Sequence, residues 1–214
     1  METLMIKALV FLHIASGSGA VVGMLGALTT QKGGLWHRRM GKLYTLSMVI
    51  ALLLASIVSA LTGNVFLFLI GLFSGYFVYT GWRLAVVKDG TRSKEDQLAA
   101  QFMALCAVVM VGYGIYQAVS GDSLGLALAV FGIFAFQPAW NDVKLATQWP
   151  KGKHRIVLHL NRMGGASIAT MTAVFVVNVQ TYPAFIAWLL PTVVGTPLII
   201  YWTRKTFKGK PAAG

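Results

Sequence analysis

The sequence predicts an all-α, polytopic membrane bundle of seven transmembrane helices, with the amino terminus outside and the carboxyl terminus cytoplasmic. Three observations predict it. Hydrophobic residues make up 57% of the 214 positions and charged residues only 11%, where a soluble domain carries about a quarter charged. Seven apolar stretches are each long enough to cross about 30 Å of hydrocarbon at about 1.5 Å per residue. Finally, 17 of the 18 lysines and arginines follow an odd-numbered stretch.

The first stretch, 4–30, has Glu2 before it and only Lys7 as a basic start, and it outruns the apolar core of a signal peptide, so it reads as a retained helix. Gly19 and Gly23 stand at GxxxG spacing with Gly26 three residues on, a pattern that lets helix backbones approach closely in lipid. Ala166, Ala169, Thr170 and Ala173 give the sixth stretch the same character, so helices one and six are expected neighbours. Aligned from His13 and His159, these two segments share one Gly and two Ala over fifteen residues, which this composition yields by chance.

"QKGGLWHRRMGKLY" (31–44) reads as a wet hinge before the second stretch, 43–62, and "LTGN" (61–64) turns the chain into the third, 64–86. The fourth, 97–119, holds Cys106, the only cysteine, so no intramolecular disulfide or CxxC pair forms. "SGDS" (120–123) leads to the fifth, 123–141, and "VQTYP" (179–183) joins the sixth, 157–181, to the seventh, 184–203. These short turns make helices two and three, four and five, and six and seven antiparallel hairpins, with helix one standing before them. Pro191 and Pro197, in "LLPTVVGTPLII", are expected to kink the last helix rather than break it. Residues 1–203 then form a single domain, and 204–214 a short basic cytoplasmic tail whose "KGKPAAG" reads as disordered.

Net charge is +12, yet its distribution excludes nucleic acid as the partner. Lys32, Arg38, Arg39 and Lys42 follow span one; Arg83, Lys88, Arg92 and Lys94 follow span three. Lys144, Lys151, Lys153, Arg155 and Arg162 follow span five, and Arg204, Lys205, Lys208 and Lys210 follow span seven. Cations gathered on one side mark the cytoplasmic face and attract anionic lipid head groups.

Polar groups held in hydrocarbon need a reason. His13 lies roughly 15 Å from the outer end of its helix, and Asn178, Tyr116 and Gln117 are its expected hydrogen-bond partners. His13 with Asn178 thus reads either as a satisfied pair or as a proton relay. The other histidines fall at the opposite face: His37 ends the first inner loop, and His154 and His159 begin helix six. Positions 154 and 159 point about 140° apart, so one straight helix cannot aim both at one ion. His159, Arg162 and Met163 share a face at i, i+3 and i+4. Three uses follow: His37 and His159 ligate a divalent metal with Asp142 added, they serve as haem ligands with Met163 nearby, or Arg38, Arg39 and Arg162 hold an anionic group. The plainer reading has the arginines snorkelling to lipid phosphates and Met163 merely packing.

"HIASGSGA" (13–20), "KGGLWHRRMGKLY" (32–44) and "HLNRM" (159–163) followed by "ATMTAVFVVN" resemble a bacterial family of predicted multi-pass membrane proteins of unknown function. The resemblance implies a cytoplasmic (inner) membrane location and maps that family's positions onto His13, His37, Arg38, Gly41, His159 and Met163. An aromatic often precedes the methionine there, where this chain has Arg162. No GxSxG, P-loop, GxGxxG or HExxH template is present. The functional expectation is a histidine-based haem, metal or quinone-type redox site near the cytoplasmic face, with Arg162 and Met163 beside His37 and His159. A small proton-coupled transporter titrating His13 is the alternative, followed by a scaffold subunit meeting a second copy or a partner membrane protein.

Overall fold

The computed structural model describes residues 2–145 and 147–208. Among them run seven helices: α1 Glu2–Thr29, α2 Leu35–Leu61, α3 Val65–Val86, α4 Lys94–Val119, α5 Leu124–Lys144, α6 Gly152–Asn178 and α7 Phe185–Lys208. All seven are long and apolar enough to cross a membrane, which makes this an all-α chain of multi-pass architecture.

Helix boundaries differ from the hydropathy reading where charge is dense. The expected hinge around His37 is already helical, because α2 starts at Leu35. Likewise α6 starts at Gly152, and α7 continues through Arg204 and Lys205 to Lys208, residues expected in the tail. Hydropathy measures hydrocarbon thickness, whereas Arg and Lys are good helix formers that carry a helix into the head-group layer with their stems along it. The rest of the expected disordered tail, 209–214, lies outside the described residues.

The chain divides into two compact units, one ending at Val78 and the other beginning at Tyr79, within α3. In the first unit α1 packs antiparallel on α2, so the glycine face expected to meet helix six receives α2 instead. The approach is close: a Cβ on Gly23 would stand 2.5 Å from the Tyr44 nitrogen and 2.8 Å from its Cα. Ala20 and Met24 of α1 and Tyr44, Ser47, Met48 and Ala51 of α2 are buried. The turn from α2 into α3 passes Gly63 at φ +65, a conformation L side chains rarely adopt, and Asn64 Oδ1 caps α3 by accepting from Leu67 N at 3.0 Å.

In the second unit the expected hairpins α4–α5 and α6–α7 are present. At Gly114 a Cβ would lie 2.6 Å from Ala129 N, and around this contact Ala107, Met110, Leu128 and Ala135 are fully buried. Helices α6 and α7 meet through Gly164 against Ile199 and Gly195 against Ile168, with Thr203 Oγ1 donating to Asn161 Oδ1 at 2.6 Å. Helix α7 runs through Pro191 and Pro197 without a break. The loops after α3 and α5, both following odd-numbered helices, are joined: Trp149 N donates to Gly90 O at 2.9 Å and an antiparallel bridge links Thr91 to Gln148.

Candidate functional site

Three of the four histidines make the same bond. His13 Nδ1 lies 2.8 Å from Ala51 O, His37 Nδ1 3.0 Å from Ala27 O, and His159 Nδ1 2.8 Å from Gly81 O. A carbonyl only accepts, so Nδ1 is the donor in each ring, and an imidazole with its single proton there has its lone pair on Nε2. Histidines that bind metals are oriented in this way, with one ring N–H given to a carbonyl and the other nitrogen turned to the metal. All three rings are half-buried.

The surroundings of His37 extend this geometry. Gly41 follows one turn later, on the same face, and a Cβ there would meet nothing within 4 Å. A histidine with a side-chain-free step beside it leaves room for a flat ligand against the helix. Around His159 the neighbouring space is filled. Met163 occupies the notch left by Gly81, so tightly that a Cβ on Gly81 would collide with its Sδ, and the same missing side chain lets His159 reach the Gly81 carbonyl. Met163 therefore packs between α6 and α3. His154 diverges from His159 as its helical angle requires and lies edge-on to Phe207, ring centroids 5.4 Å apart.

Two residues expected at the site have partners in each other. Arg162, 3% exposed, bonds Asp142 Oδ1 at 2.7 Å and donates to Pro138 O at 3.1 Å. The guanidinium charge expected to hold an anionic ligand is thus balanced within the protein, and the carboxylate expected to complete a metal site is engaged by that charge. Among the described residues no three of His, Cys, Asp and Glu gather as a divalent metal would need. Asn178, expected to meet His13, donates to Val174 O of its own helix at 2.7 Å.

One cluster escaped the sequence reading. Asp96, 1% exposed, accepts from Tyr79 Oη and Arg83 Nε at Oδ1, each 2.7 Å, and at Oδ2 from Arg83 Nη2 at 2.7 Å, Ser93 N at 2.9 Å and Trp149 Nε1 at 3.3 Å. Ser93 Oγ returns a bond from Asp96 N at 3.3 Å, closing a capping box at the start of α4. Arg92 lies over the Trp149 ring at 5.0 Å. With every lone pair of the carboxylate engaged, this cluster is built to fasten two loops. The signal was present as "SKED", a Ser with an acid three residues on, which reads as a helix start. Nearby, Thr91 donates through N–H and Oγ1 to the exposed Asp89 and holds that carboxyl below its usual range.

Fold and site together define a multi-pass helical membrane protein in which three histidines each bond a backbone carbonyl of another helix. Compared with known protein families, curated proteins and solved structures, the chain matches none.

Proposed function

We propose that this chain is a haem-carrying redox protein of the bacterial cytoplasmic membrane, with His37 as a nitrogen ligand near the cytoplasmic face. The observation that carries the reading is the Nδ1 bond of His37 to the Ala27 carbonyl, which holds the imidazole in place and leaves Nε2 as its ligating nitrogen. Haem fits this donor set better than a bare divalent ion. It needs only one or two protein ligands, where zinc needs three or four, and Asp142 is committed to Arg162. When bound, haem would supply one-electron chemistry, and the protein fixes the His37 ring through the Ala27 carbonyl.

Orientation belongs to the same proposal. The amino terminus lies outside and the basic ends face the cytoplasm against anionic lipid. Aromatic–cation pairs at helix ends support this: Arg39 over Trp36 at 5.5 Å, Lys144 over Trp140 at 5.4 Å and Lys205 over Trp202 at 4.9 Å.

Absorption spectroscopy and iron analysis of the full chain, purified in detergent, test the reading. The expected result is a haem spectrum that changes, with lower haem content, in His37→Ala at wild-type helicity. A folded protein that is colourless and free of iron contradicts it.

A further inference from the structure

The two histidines of the first unit are related by an approximate two-fold axis. His13 on α1 bonds the carbonyl of Ala51 on α2, and His37 on α2 bonds the carbonyl of Ala27 on α1. Each histidine stands fourteen positions before the alanine of its own helix that accepts the other, and a shift of twenty-four positions carries one set onto the other. The sequence keeps the correspondence: His13 and His37, Gly17 and Gly41, Met24 and Met48, Ala27 and Ala51. Packing keeps it as well, since buried Ala20, Gly23 and Met24 map onto buried Tyr44, Ser47 and Met48. In an antiparallel pair, a two-fold perpendicular to the helices exchanges the ends. The carbonyl bond of His37 is thereby reproduced further up the hairpin.

The step beside the ring is reproduced too. Gly17 follows His13 one turn later, as Gly41 follows His37, and a Cβ on either would meet nothing within 4 Å. Both Nδ1 atoms donate to carbonyls, so in each ring Nε2 is the nitrogen that an uncharged imidazole would offer to a metal. Fourteen residues separate the two histidine levels, about 21 Å along the helices. A ligating nitrogen stands about 2 Å from its metal, so the two rings cannot serve one ion.

We infer that His13 with Gly17 forms a second haem-binding position, equivalent to that of His37 with Gly41 and displaced from it across the bilayer. This rests on the haem reading of His37 and makes the first unit a carrier of two separate centres. The ligand is a metalloporphyrin or another flat metal complex that accepts a neutral imidazole.

Titration of the purified full chain with haemin, followed by absorbance and by haem content after gel filtration, decides. The expected stoichiometry is two per chain, falling to one in His13→Ala while the signal of the His37 centre persists, which also shows that the variant is folded. His13→Met, which still offers a ligand, should keep two with one spectrum shifted. One haem in the wild type, unchanged by His13→Ala, overturns the inference and leaves the His37 reading standing. No haem bound by folded wild type removes both. Loss of all haem in His13→Ala and His13→Met alike also overturns it, because a shared structural role predicts that result and separate centres do not.

Discussion

Arg162 and Asp142 show how one buried charge dictates another. Both side chains are all but enclosed, at 4% and 1% exposure, and an ion in such a place is tolerated only with a partner. Removing one member leaves the other buried and uncompensated, so Arg162→Met should cost about 3–5 kcal/mol in unfolding measured in detergent, with Arg162→Met plus Asp142→Leu recovering most of it. Equal losses in the single and double variants would mean that the pair is not what Arg162 contributes. At this scale the sequence was partly legible. It singled out Arg162 and Asp142, since charges near hydrocarbon are conspicuous, but gave them to a ligand rather than to each other: twenty positions of spacing do not reveal which faces of two helices meet. Asp96 was missed for a related reason, because its donors come from α3, the start of α4 and Trp149, fifty-three positions away.

Among the elements, α1 and α2 owe their approach to a side chain that is absent. At Gly23 the α2 backbone occupies the space a Cβ would need, so Gly23→Leu should force the helices apart and destabilise the first unit by about 1–3 kcal/mol or more. Gly17→Ala, with open space beside it, should be neutral or slightly stabilising toward heat, since alanine is the better helix former. Equal losses at both positions would contradict the packing described. The glycine pattern was readable as a close-packing face, yet its partner was not: small residues announce that something approaches and say nothing of what. The choice of helix six followed from its similar small residues, whereas the short, polar link between α1 and α2 favours the sequential neighbour. The internal repeat was overlooked for the same reason. His13 was compared with His159, while its counterpart is His37 in the adjacent helix, and only the crossing bonds to Ala51 and Ala27 make the correspondence visible.

For the whole molecule, helix number and order were legible because lipid solvation imposes them. Each span must satisfy its backbone internally and stay apolar for about 20 residues, and that demand is written along the chain rather than across it. Helix ends were less legible, since the interfacial turns are helical and charged at once. Seven crossings would place the termini on opposite sides, and the histidine chemistry presupposes helices standing in hydrocarbon. Cysteine-accessibility mapping in intact cells, on a Cys106→Ala background with a membrane-impermeant thiol reagent, tests this most directly. Thr62→Cys, Ser120→Cys and Gln180→Cys are expected to label from outside, and Gln31→Cys, Lys88→Cys and Lys151→Cys only after permeabilisation. Labelling of any members of the two sets from the same side would contradict the account.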